Sequence, residues 1–136
     1  MNKSARHHHA TPGTLTGLRV VVADDHTLLR QSVVQFLERN GAEVVGQAAT
    51  GDAAVLLAGK LSPDVVVMDV RMPGGISGIE ATTRLREALP ACRVIGFSVD
   101  HDPHAEAQMI AAGAVAYVHK AGFARNPNPD SEFIRL

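Results

Sequence analysis

The sequence predicts an α/β domain: a five-stranded parallel sheet with helices on both faces. Three observations carry that expectation. Short β-branched runs alternate with segments of helical period along the chain. Each connection between runs is long enough to hold a helix, so successive strands lie parallel with right-handed crossovers. The runs are apolar throughout rather than alternating, as strands buried on both faces are.

Met1 to Gly17 is rich in Ser, Thr, His and Gly without an apolar period and is read as a disordered leader, residues 1–17. Its run His7-His8-His9 is taken as a tag remnant or plain disorder ahead of a transition-metal site. The domain proper is expected over residues 18–136. Leu18 to Ala23 forms the first strand and stops at Asp24-Asp25. Thr27 is expected to cap a helix with Leu29, Val33, Phe36 and Leu37 on one face, which Gly41 ends. Val44 to Ala48 is a second strand, and Ala53 to Leu61 a helix stopped by Ser62-Pro63. Val65 to Met68 is a third strand, ending at Asp69, with a helix from Gly78 to Leu89 closed by Pro90. Arg93 to Phe97 ends at Ser98, and Pro103 to Ala112 is a helix with Gly113 past its end. Val115 to His119 is the fifth strand, ending at Lys120.

The totals exclude several classes. A chain of 136 residues holds one domain. With 13 basic and 14 acidic side chains it has no basic excess for nucleic acid, so no direct nucleic-acid contact is expected. No apolar run nears the roughly 20 residues that cross a bilayer, so no membrane contact is expected. The single cysteine, Cys92, cannot form an internal disulfide, which fits a reducing, cytoplasmic setting.

In open parallel sheets the site lies beyond the carboxyl ends of the strands. Asp24, Asp25, Asp69, Ser98 and Lys120 all stand at those ends. Three converging carboxylates stay ionised only with a cation among them. Oxygen ligands without His or Cys favour Mg²⁺. A carboxylate at a metal site can accept a phosphoryl group as an acyl phosphate. A lysine and a hydroxyl would hold the remaining phosphoryl oxygens. Singly, each residue reads as a turn former or exposed charge; the joint placement marks a site.

In this order the segments VVADDH, PDVVVMDVRMPGG, VIGFSVD and AYVHKA resemble the receiver domain of bacterial two-component response regulators, a flavodoxin-like fold. The match runs from about Leu18 to Lys120, and His26 after the acidic pair resembles the LuxR/NarL/FixJ-type subfamily. The resemblance implies that Asp69 accepts phosphate from a sensor histidine kinase, controlling a downstream output such as transcription. It also implies that Asp25, Asp69 and the carbonyl of Arg71 bind Mg²⁺, with Asp24 acting through water. Ser98 takes the switch-hydroxyl position, Lys120 that of the phosphate-binding lysine and Tyr117 that of the rotameric aromatic. The domain would catalyse only its own phosphorylation and dephosphorylation.

Three departures stand out. The loop Gly74 to Gly78 is one residue longer than usual, and Val99 is bulkier than the small residue the family carries there. Arg71 and Asp100 are expected to gate the site beside Val99. After Lys120, residues 121–136 support no ordinary fifth helix: Asn126-Pro127-Asn128-Pro129 interrupts it, leaving a stub from Pro129 to Leu136. That fifth helix is expected short or displaced, with a homodimer as a way to cover the exposed face. Rival readings are a phosphorylation-independent pseudo-receiver, an aspartyl-phosphate phosphatase of the haloacid-dehalogenase type, and a flavin mononucleotide carrier. The pseudo-receiver would lack Asp69 or Lys120. The phosphatase needs two aspartates one residue apart after the first strand, and the carrier a loop there without carboxylates.

Overall fold

The computed structural model describes residues 14–98 and 102–119. Within them the chain runs β1 (Arg19–Ala23), α1 (Thr27–Arg39), β2 (Glu43–Ala48), α2 (Gly51–Leu61), β3 (Val65–Asp69), α3 (Gly78–Ala88), β4 (Arg93–Ser98), α4 (Pro103–Ala112) and β5 (Ala116–His119). The strands form one sheet in the order β2-β1-β3-β4-β5, every pair parallel. The chain thus winds outward in both directions from β1 and β3, and the strand ends carrying polar residues come to one edge. The fifth-helix expectation, the stub Pro129–Leu136 and the dimer built on it lie outside the described residues, as do Val99, Asp100 and Lys120.

Alternation along the strands sorts the core into two layers. Val21, Ala23, Val66, Met68 and Val94 face Ala54, Ala58, Ala81, Leu85 and Met109, so α2, α3 and α4 cover that side. Val20, Val22, Val65, Val67, Ile95 and Phe97 face Val33, Phe36 and Leu37 of α1. The all-apolar strand pattern is therefore the consequence of helices on both faces.

Leu15 joins the α1 layer, buried, with its N–H bonded to the Asn40 carbonyl at 2.7 Å. Residues 14–17 are therefore packed as a turn on the domain rather than part of a free leader; one apolar residue among polar ones left no period to detect. Other boundaries shift by a residue or two, and one cap moves. His26, not Thr27, is the N-cap of α1, extended at φ −87° and without a side-chain cap bond. Thr50 and Ser77 cap α2 and α3 by accepting from Ala53 N and Glu80 N, both at 3.1 Å. The longer loop before α3 is tied down: Ile76 N donates to Asp52 Oδ2 at 3.1 Å.

Candidate functional site

The acidic edge is built by where the strands stop. β1 ends at Ala23, and Asp24 N still bonds Ala48 O of β2 at 2.9 Å, so Asp24 leaves the sheet in register. Its Oδ1 accepts the His26 N–H at 2.9 Å, a local turn that starts α1. Arg30, one turn into α1, donates to the Asp24 carbonyl at 2.6 Å and to Gln47 Oε1 at 3.0 Å. It clamps the end of β1 to β2.

Asp69 closes β3, the strand next to β1, opposite Phe97 of β4. It is 3% exposed and Asp24 is fully buried, while Asp25 is partly open. Behind Asp69 the start of α3 comes very close: Gly78 N bonds the Val70 carbonyl at 2.9 Å, and a Cβ on Gly78 would strike the Asp69 carbonyl oxygen. Only glycine fits there.

One ligand atom from each of Asp24, Asp25, His26 and Asp69 lies within 4.8 Å of all the others. His26 Nδ1 stands 3.4 Å from Asp24 Oδ1 and 3.4 Å from Asp25 Oδ1. Asp25 Oδ1 is buried and takes no hydrogen bond from the described residues. Buried carboxylates this close, with that oxygen unbonded, fit a divalent cation. The expected donor set is corrected in one respect. An imidazole stands among the oxygens, because the turn after β1 folds His26 back onto the acidic pair.

Ser98, buried, closes β4 beside β3 on the same edge. Tyr117 is buried on β5 opposite Gly96, its ring edge-on to His119 at 5.7 Å. A Cβ on Gly96 would come within 2.7 Å of Tyr117 Cδ1, so that glycine makes room for the ring. Among the described residues the Tyr117 hydroxyl is buried and meets no hydrogen-bond partner, unlike the wet hydroxyl of an ordinary edge aromatic. Arg71, two residues past Asp69, places Nη2 3.0 Å from Asp102 Oδ2. Asp102 also caps α4, accepting from His104 N at 3.0 Å and Ala105 N at 3.3 Å. Asp100, expected to pair with Arg71, lies outside the described residues; Asp102, Arg30 and the closeness of His26 to the carboxylates were not anticipated from the sequence. Only Asp102 had a signal, an Asp just before the Pro that opens a helix.

Comparison with known proteins fits this geometry. The model of the response regulator receiver domain matches residues 20–126. The chain belongs to that family. It is a receiver domain of a two-component response regulator. It is 41% identical over 109 residues to the response regulator GacA of Pseudomonas viridiflava, covering 79% of this chain and 50% of that protein. It is 38% identical over 104 residues to the transcriptional regulatory protein LiaR of Bacillus subtilis, covering 76% of this chain and 49% of that one. The chain thus spans about half the length of the curated relatives it matches. Among solved structures it superposes on the signal receiver domain designated NarL from Mycobacterium tuberculosis with a TM-score of 0.73 at 36% identity, covering 77% and 85% of the two chains. A LuxR-family two-component response regulator from Aurantimonas gives 0.71 at 33% identity, covering 79% and 80%. These similarities place the receiver domain in the LuxR/NarL/FixJ-type branch. No helix among the described residues is long and apolar enough to cross a membrane.

Proposed function

We propose that this receiver domain accepts a phosphoryl group on Asp69 from the phosphohistidine of a sensor histidine kinase, in a Mg²⁺-dependent reaction. The observation that carries the reading is the convergence of buried Asp24 and Asp69 with half-buried Asp25 at the carboxyl edge of the sheet. A carboxylate oxygen of Asp69 attacks phosphorus in line with the phosphorus–nitrogen bond. That bond breaks, the kinase imidazole leaves with the electron pair, and an acyl phosphate remains. Mg²⁺, when bound, would supply positive charge to offset that on the transferring group. Asp25, Asp69 and the Arg71 carbonyl would hold it, with Asp24 acting through water.

The remaining roles are those the family resemblance implies, supported for Ser98 and Tyr117 by their places on β4 and β5. The Ser98 hydroxyl, at the end of the neighbouring strand, donates to a phosphoryl oxygen, and Lys120 pairs with another. Tyr117, on the next strand, reports the state of that edge through its ring position. Arg71, with Val99 and Asp100, gates the entrance to Asp69, and the pair Arg71 makes with Asp102 supports its part in that gate. The domain catalyses nothing beyond its own phosphorylation and dephosphorylation. Its output is transcriptional and cytoplasmic, exerted by a partner region rather than by this near-neutral surface on nucleic acid. Incubation with a radiolabelled small phosphodonor and Mg²⁺ tests the chemistry. The label should be released by hydroxylamine, as an acyl phosphate is. A hydroxylamine-stable label would refute it.

A further inference from the structure

We propose that Arg30 is a positioning residue for phosphoryl acceptance, holding Asp25 in the direction the acidic edge needs. The inference rests on the reading that Asp69 accepts a phosphoryl group beside Mg²⁺. It adds a residue that touches neither the acceptor nor the ion and acts through the peptide backbone.

Arg30 brackets Asp25 from both sides. Its Nη1 donates to the Asp24 carbonyl at 2.6 Å, and its own backbone N–H donates to the His26 carbonyl at 2.8 Å. The carbonyls before and after Asp25 are thus bonded to one residue. Nε of the same guanidinium donates to Gln47 Oε1 at 3.0 Å, and Gln47 lies on β2 opposite Val22. The sheet does not need this strap. Val22 and Ala23 already pair with Gln47 and Ala48, and Asp24 N bonds the Ala48 carbonyl at 2.9 Å. What Arg30 adds is the direction of the chain where Asp25 leaves the strand.

Its partners point the same way. A guanidinium ordinarily takes a carboxylate, often with both prongs of its fork. Among the described residues that of Arg30 pairs with no carboxylate, and its side-chain bonds go to two neutral oxygens. Seated on Asp25 it would compete with a cation; held by Gln47 and the Asp24 carbonyl, it stays off. Asp25 Oδ1 accordingly takes no hydrogen bond from the described residues. Charge and positioning then have opposite signs. Losing a positive charge near the edge would strengthen Mg²⁺ binding, whereas losing the grip on Asp25 weakens it.

Arg30→Lys separates the two, because it keeps the charge but offers one nitrogen where the fork supplies two. In the full chain, Mg²⁺ affinity is read by calorimetry, and phosphorylation by acetyl phosphate is followed across Mg²⁺ concentrations. Arg30→Lys should weaken Mg²⁺ about tenfold and raise the half-saturating Mg²⁺ equally, with the rate at saturation within about twofold of the parent. In EDTA its His26 N–H, bonded in the parent to Asp24 Oδ1 at 2.9 Å, should exchange hydrogen faster. A purely structural role would lower the melting temperature and leave Mg²⁺ binding by the folded protein unchanged, and that result would overturn the proposal. Gln47→Leu leaves Arg30 in place and should shift Mg²⁺ affinity the same way by at least about twofold. If Arg30→Lys does not fold, Gln47→Leu decides, and unchanged affinity there overturns the role. Failure of the parent to bind Mg²⁺ or to take up phosphate would instead overturn the reading beneath it.

Discussion

Arg71 and Asp102 join the loop after Asp69 to the start of α4: Nη2 and Oδ2 are 3.0 Å apart, and the same carboxylate caps the helix. A change in the loop that follows Asp69 therefore reaches the first turn of α4 through one side chain. The N–H of Ala105 above all, then that of His104 and the Arg71 guanidinium, hold the Asp102 carboxyl below the usual carboxylate range.

That depressed pKa has a definite sign. The unfolded carboxylate takes up its proton first, near pH 3.9. The stability Asp102 contributes is thus fully present above that pH and is lost as pH falls through the lower folded value. Asp102→Asn keeps the shape and removes the charge. Urea unfolding should show the wild type more stable than Asp102→Asn at pH 7, with the gap shrinking below about pH 4. A gap that widens in acid would contradict the cap. Arg71→Ala should unfold close to wild type, because an exposed pair adds little, yet its acyl phosphate should decay faster. Equal decay rates would remove Arg71 from the gate.

Crowded carboxylates predict a stability gain on mutation. Without a cation, Asp25→Ala or Asp69→Ala should raise the melting temperature in EDTA, by relief worth about 1 kcal/mol. In saturating Mg²⁺ the advantage should shrink, since the ion binds only the folded wild-type site. Lower melting temperatures for both variants in EDTA would count against a crowded site.

Two glycines are predicted to be intolerant for steric reasons. Gly78→Ala drives a methyl into the Asp69 carbonyl, and Gly96→Ala drives one into the Tyr117 ring and Met109 Cε. Each should cost about 1–3 kcal/mol in chemical denaturation, as overpacking does. Gly78→Ala should also slow phosphorylation, because the acceptor strand must shift. A fully stable Gly78→Ala would mean that the close approach is not real.

Cys92 provides an independent reporter. Burial pushes its thiol above the ordinary range, outweighing the opposing pull of Arg86. Its contribution to stability is present below about pH 8.5 and is lost as pH rises toward the higher folded value. Alkylation at pH 8 should be slow in the native protein and fast in urea. Rapid native labelling would show that the β4 edge opens locally.

The sheet was legible because Val-rich runs are buried on both faces and stop abruptly at polar residues. Asp24, Asp69 and Ser98 were found that way, each as the first polar residue after an apolar run. His26 was visible only as a neighbour of the acidic pair. Its return onto the carboxylates depends on the turn angle after β1, which periodicity does not encode. Arg30 and Asp102 were missed for a related reason, since their contacts cross between elements. Leu15 was lost because a single apolar residue has no period.

The central claim is that Asp69 is the phosphoryl acceptor and that a divalent cation at its carboxylate cluster is required. Intact-mass spectrometry after incubation with acetyl phosphate and Mg²⁺ tests it most directly. The wild type should gain the mass of one phosphoryl group, and Asp69→Asn or EDTA should abolish the gain. Full labelling of Asp69→Asn, or labelling indifferent to EDTA, would contradict the account.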